Sequence, residues 1–254
     1  MDSLLRCAAL LGLISLLWAA CATTTQNPKQ PNYRVSPDFG TGMSSARTIG
    51  IVPPVIRLYE LSFGDKHEFK EDWSAKASES VGQGLVKTLV ARGVAAKLIT
   101  PSFESDASVQ EARVLYEAVQ GAIHQATYES QFPGPTKSFR YSVGDVSELV
   151  SQYGVDALLF ACGSGEISST GRDLATGASF VATLMTLAGP SYRYYNIPSP
   201  RDPINHVSLA LVDRTGRVVW YDEMAGGSYV DLRNPAEAEK FLVPLLSELP
   251  RTTQ

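Results

Sequence analysis

Apolar and polar positions follow three rhythms along this chain. The first is a solid block, Cys7 to Ala20 (CAALLGLISLLWAA), in which every residue is apolar or small. The second is helical. Trp73, Ala77, Val81, Leu85, Thr88 and Leu89 recur at spacings of three and four, which predicts a helix over Glu71 to Arg92 ended by Gly93. Gly82 and Gly84 each weaken that helix by up to ~1 kcal/mol relative to Ala, so close packing on a neighbour is expected there. The same spacing predicts a second helix over Val109 to Tyr128, with Ala112, Leu115, Val119, Ala122, Ile123 and Ala126 on or near its stripe. A third runs from Val143 to Tyr153, started by Ser142 and stopped by Gly154. A last one runs from Pro235 to Leu249, with Phe241, Leu242, Leu245 and Leu246 facing in and Pro235 suited to a first turn.

The third rhythm is that of strands. Arg47 to Val52 is a short β-rich run stopped by Pro53-Pro54, and Val94 to Ile99 is a second. Val155 to Cys162 is almost continuously apolar, the pattern of a central strand buried on both faces. His206 to Asp213 and Arg217 to Glu223 flank Asp213-Arg-Thr-Gly216, a hairpin signal. The resulting order is β-α-β-α-α-β, a long segment, a β-hairpin and a helix. Strands separated by helices pair in parallel through right-handed crossovers. The expected fold is one layered α/β domain over residues 47–254. Its mixed sheet has parallel early strands, a late antiparallel hairpin and flanking helices, with an insertion at about 163–203.

The block at Cys7 to Ala20 is shorter than the ~20 residues a helix needs to span a bilayer, but it suits a signal peptide over residues 1–20. Ala19-Ala20-Cys21-Ala22 resembles the lipobox of bacterial lipoproteins, departing from it at Trp18, where that family usually carries Leu. The resemblance implies cleavage before Cys21 and lipidation of Cys21 by palmitate-type chains. Ala22, where an Asp tends to retain such proteins at the inner membrane, then implies the periplasmic side of the outer membrane. Secretion with cleavage at the Ala20-Cys21-Ala22 site and an uncleaved anchor are the other readings. Residues 21–46 are rich in Thr, Pro, Asn, Gly and Ser and read as the lipidated cysteine and a flexible tether. For the part around Tyr33 and Phe39, an ordered arm lying over the domain is the alternative.

Composition narrows the chemistry. The 254 residues are 44% hydrophobic and 19% charged, an ordinary globular balance. A net charge of −4 carries no electrostatic footprint for nucleic acid. Of the three cysteines, Cys7 lies in the leader and Cys21 at the lipobox, so Cys162 has no disulfide partner. His67, His124 and His206 are far apart and match no metal-binding spacing, so no metal and no cofactor is expected, and His206 reads as a surface or edge histidine. Cys162-Gly-Ser-Gly165 fails the G-x-S-x-G test for a nucleophile, and its glycines read as the place where the chain leaves the sheet. Gly163 to Gly171 lacks the Lys-Ser/Thr of a phosphate loop. The acid pairs Glu71/Asp72 and Asp222/Glu223 read as helix-start charges or solvated faces. No catalytic residue is therefore expected. Tyr192, Arg193, Tyr194 and Tyr195, set among prolines, read either as a partner-binding loop or as aromatics folded over the domain edge.

Four stretches carry a wider resemblance: Ile49-Gly-Ile-Val-Pro-Pro54, Leu89 to Gly93, Tyr153-Gly-Val-Asp-Ala-Leu-Leu159, and Ser208 to Tyr221. In this order they resemble envelope lipoproteins related to the curli-secretion lipoprotein and to the amino-terminal domain of TolB. The resemblance implies a non-enzymatic binding or scaffold role in a transport or assembly complex, with envelope proteins or further copies of the chain as partners. The curli channel also crosses the outer membrane with amphipathic hairpins. The comparable apolar run here, Ala178 to Leu187, alternates poorly for that purpose and fits a helix or hairpin packed on the domain or a partner. The alternative function is a periplasmic ligand-binding domain or hydrolase with a cleft near Gly163 to Gly165.

Overall fold

The longest apolar strand organises the molecule. In a computed structural model describing residues 33–43, 46–62, 66–101, 107–126, 139–173, 204–227 and 230–250, it is the centre of an eight-stranded sheet. The leader, Cys21, the run 178–187 and the cluster Tyr192, Arg193, Tyr194 and Tyr195 lie outside the described residues. The strands are β1 (Arg34–Val35), β2 (Thr48–Ile51), β3 (Val55–Leu61), β4 (His67–Phe69), β5 (Ala95–Leu98), β6 (Ala157–Ser168), β7 (Ile204–Asp213) and β8 (Val218–Gly227). The helices are α1 (Phe39–Met43), α2 (Glu71–Ala91), α3 (Ala107–His124), α4 (Ser147–Gln152) and α5 (Pro235–Ser247). Among the described helices none is long and apolar enough to cross a membrane.

The sheet order is β1-β8-β7-β6-β2-β5. β2 runs parallel to both β5 and β6, while β7 is antiparallel to β6 and to β8. This is the mixed α/β sheet that the hydrophobic pattern implies. One edge of β6 is shared. Its first half pairs with β2 (Ile51 opposite Leu159) and its second half with β3 (Val55 opposite Cys162). Between those pairs one chain advances by four residues and the other by three, so Val52-Pro53-Pro54 forms a bulge. Proline has no N–H to give to the ladder, which explains where the strand breaks. Val52 keeps its own bond, donating to the Leu159 carbonyl at 3.0 Å.

Strand alternation builds two cores. Along β7, Val207, Leu209 and Leu211 face α2 and α5, together with Leu85, Leu242 and Trp220. Ala210 and Val212 face α3 and α4, with Tyr116, Val150, Phe160 and Tyr221. Gly84 of α2 lets α5 approach: a Cβ there would stand 3.0 Å from Leu242 Cδ1. That is the close packing expected of the helix glycines.

Several boundaries differ from the sequence expectation. β3 and β4 follow the prolines, because Ile56, Leu58 and Leu61 are buried against α2. The described domain reaches back to Tyr33, ahead of residue 47: β1 pairs with Trp220 and Tyr221, and Met43 of α1 is buried. Of the two readings for this stretch, the ordered arm is the one observed. The stripe of α3 centres on Tyr116, which is buried, while Leu115 is 40% exposed. α4 starts at Ser147 rather than Val143. Val143 donates its N–H to the Gly216 carbonyl at 2.9 Å, and that bond holds the preceding segment against the hairpin turn.

Candidate functional site

On the α3 face, three consecutive strands bring polar side chains into register. Cys162 and Ser164 of β6 stand opposite Ser208 and His206 of β7, and Ser208 stands opposite Glu223 of β8. Because side chains alternate along a strand, all five project to one side of the sheet. α3 lies over them and ends at His124, with Tyr116 two turns earlier on its buried stripe.

Apart from Ser164, which is exposed, these groups form two neighbouring polar clusters inside an otherwise apolar layer. His124 Nδ1 lies 2.8 Å from Glu223 Oε1, and the Tyr221 hydroxyl donates to Glu223 Oε2 at 2.6 Å. His206 Nε2 stands 3.6 Å from Glu223 Oε2, an ion-pair distance beyond hydrogen-bond reach. That nitrogen is buried and has no hydrogen-bond partner. The two imidazoles meet edge to face, their centroids 5.6 Å apart. Deeper in, Tyr116 and Ser208 hydroxyls are 3.2 Å apart, and Ser208 donates to the Cys162 carbonyl.

The electrostatics follow from burial and partners. Burial pushes the Glu223 carboxyl up, but His206, Tyr221 and His124 outweigh it and hold the group below its ordinary value. Glu223 is therefore an ionised carboxylate in a mostly apolar layer, with its partners close by. Burial raises the Tyr116 and Tyr221 phenols, which stay neutral. Burial also raises the Cys162 thiol, with the nearby Glu117 charge adding to it, so the thiolate form is suppressed. A buried thiol of this kind is a poor nucleophile.

Gly163, Ser164 and Gly165 do not carry the chain out of the sheet. They sit within β6, paired with β3 on one side and β7 on the other. A Cβ on Gly165 would overlap the Asn205 side chain, so glycine is required there by close approach. Gly163 and Gly165 are buried and Ser164 is exposed, which makes this stretch strand interior rather than the floor of a cleft. Ser164 faces His206 across the ladder, but His206 Nε2 forms no hydrogen bond to it.

A second surface lies at the far rim. β5 pairs with β2 alone, so its outer backbone edge is open among the described residues. Beside it Val90 of α2 is 55% exposed and Leu98 of β5 is 39% exposed. With Val86, Gln83 and Lys87 they line a groove of about 360 Å³. At the opposite end of α2, Arg233 stacks 4.4 Å over the Trp73 ring and pairs with Asp231 at 2.8 Å, beside a polar cleft of about 570 Å³.

Sequence spacing kept the three histidines apart. The fold joins His124 and His206 through Glu223 and leaves His67 elsewhere, 3.4 Å from Glu166. Only the register of β7 on β8 and the end of α3 bring the first two together. Glu223, read from sequence as a solvated acid, is buried, as is its neighbour Asp222. The alternation of Glu223 with buried Tyr221 in β8 was the one available signal.

No protein-family model and no curated sequence matches the chain. Among solved structures it is similar to a single-site variant of the PelC dodecamer from Paraburkholderia phytofirmans. That alignment has 16% identity and a TM-score of 0.30, over 79% of this chain and 88% of that one. The PelC dodecamer from the same organism in another crystal form aligns over the same shares, with 13% identity and a TM-score of 0.27. Scores this low lend no support to a shared fold or a shared role.

Proposed function

We propose that this chain is a lipid-anchored envelope protein, held through Cys21 on the periplasmic side of the outer membrane. Its α/β domain binds or scaffolds partner proteins of a transport or assembly complex and performs no catalysis. The observation that carries the binding role is the open rim at β5. An edge strand there borders exposed Val90 and Leu98, and although β5 is short and carries exposed Lys97, these apolar side chains beside it stay uncovered among the described residues. A partner that adds a strand or lays an apolar face into the groove would satisfy both the backbone and the side chains. A second copy of the chain is one such partner. The anchoring part rests on the apolar leader and Ala19-Ala20-Cys21.

Two experiments test the two parts. Metabolic labelling with clickable palmitate should mark the wild type and not Cys21→Ala; label on neither would refute lipidation. A photo-crosslinker placed at Val90 in growing cells should yield a discrete adduct with an envelope protein or a second copy, weakened by Leu98→Glu. If the domain shows no adduct from that rim, the binding role there is wrong.

A further inference from the structure

The His124–His206–Glu223 centre is built in a way that a structural ion pair does not need. One histidine would suffice to hydrogen-bond the Glu223 carboxylate. The protein supplies two, at right angles, and leaves Nε2 of the second buried without a hydrogen bond. Such a buried ring nitrogen is costly unless something else engages it.

The donor atoms of the three residues lie within 4.8 Å of one another. In a tetrahedral site with bonds of about 2.0–2.1 Å, neighbouring donors stand about 3.3 Å apart. Glu223 Oε1 stands 2.8 Å from His124 Nδ1 and Oε2 stands 3.6 Å from His206 Nε2, so the carboxylate lies between the two imidazoles with one oxygen near each. The outer groups are also those of a metal site. The Tyr221 hydroxyl holds one carboxylate oxygen of Glu223, fixing its orientation, and Gln120, one turn before His124, in turn bonds Tyr221. The backbone elements are rigid: two paired strands and the end of an eighteen-residue helix.

The geometry points to a divalent transition-metal site formed by His124 Nδ1, His206 Nε2 and a Glu223 carboxylate oxygen, suited to Zn²⁺. Two imidazoles and one carboxylate are borderline-to-hard donors, the set that suits zinc over magnesium or calcium. Three protein donors complete a four-coordinate sphere with one exogenous ligand, a water or a donor atom from a partner. Metal occupancy would tie α3 to β7 and β8. This inference stands independently of the lipid anchor and of the β5 rim.

The test uses the full chain, purified in detergent without a histidine tag, stripped with chelator and dialysed against Zn²⁺ alone. Elemental analysis should find one Zn²⁺ per chain. Zn²⁺ should raise the melting temperature of the wild type. His206→Gln should lose the bound zinc and the zinc-dependent melting shift, each read against its own metal-free melting temperature, because the wild-type ring reaches Glu223 only at 3.6 Å and its Nε2 makes no hydrogen bond. The loss of zinc affinity should exceed the roughly 10–100-fold that an outer-shell partner commands, and Tyr221→Phe should fall within that range. His67→Gln should bind as the wild type does. The inference is overturned if the wild type retains no stoichiometric zinc. It is equally overturned if His206→Gln and His124→Gln bind zinc as tightly as the wild type, or if His67→Gln loses as much as they do.

Discussion

Replacing Asp222 by Asn should stabilise this protein at neutral and alkaline pH and do little in acid. Asp222 sits on β8 with 4% of its surface exposed, and its Oδ1 accepts the Glu223 N–H at 2.8 Å. Burial pushes its carboxyl up to about 7; the Glu223 N–H and Arg34 oppose that, while Glu248 and Glu223 add to it. The unfolded chain releases this proton near the ordinary 3.8. Between those two values the folded protein holds a proton that the unfolded chain has lost, so stability falls as pH rises across that window and then levels off. At ~1.4 kcal/mol per pH unit, the full window costs the native state about 4 kcal/mol; relaxation around the ionised group brings this nearer 2 to 4. Asn keeps the acceptor oxygen for the Glu223 N–H and cannot ionise. Urea unfolding of both proteins at about pH 4 and about pH 8 isolates the effect, because the difference between them cancels the other titrating groups. The two should be nearly equal in acid, and the variant more stable by about 2 to 4 kcal/mol in base. A variant that gains nothing on going from acid to base would refute the reasoning.

Three further outcomes are expected. Gly216→Ala should destabilise by about 2 kcal/mol or more, because φ is +81° there and a Cβ would overlap the Gly144 carbonyl; thermal melting measures it. Asp213→Ala should cost about 1–3 kcal/mol in urea unfolding, the range for losing hydrogen bonds to a charged acceptor. Its buried carboxylate accepts from the Thr215 N–H at 2.9 Å and the Arg217 guanidinium at 2.8 Å; Thr215 would lose that acceptor, while the half-exposed Arg217 would keep Asp38 at 3.5 Å. The hydrogen bonds to Thr215 and Arg217 hold the Asp213 carboxyl below its ordinary value against the opposing effect of burial. Its contribution is therefore present above the ordinary carboxylate range and lost as pH falls through the depressed value. Cys162, buried with a raised thiol, should react slowly with a disulfide reagent in the native protein and rapidly in denaturant; equal rates would contradict the burial.

The α/β architecture was legible because its signals are local. The spacing of Ala77, Val81, Leu85 and Leu89 is the buried face of α2, and the apolar run from Val155 is the start of β6. What stayed hidden depended on distant partners. β3 alternates from Ile56 to Leu58, but Pro53-Pro54 reads as an end and becomes a bulge only because β6 is long enough to pair on both sides of it. Val143 and Val146 carry a helical apolar rhythm, yet Gly144 between them sits at φ +81°, outside the helical region, so α4 starts only at Ser147. The polar centre was the least legible. His124, His206 and Glu223 belong to three elements, and no spacing rule connects a helix end to two strand positions decided by hairpin register.

The short strand at Arg34 has a mechanical meaning. β1 is fastened to the outer side of β8 by two residue pairs and by Ser36 donating to the Val219 carbonyl at 2.9 Å. A tensile load entering at Tyr33 would meet this flap first and peel it bond by bond, while the seven strands beyond it remain joined. Releasing residues 33–46 would pay out about 45 Å of extended chain. The flap would then act as a fuse and a slack reserve at once. Under load at its amino end the flap would lengthen at the cost of exposing Met43, and that buried side chain would favour its re-pairing with β8 once the load is removed.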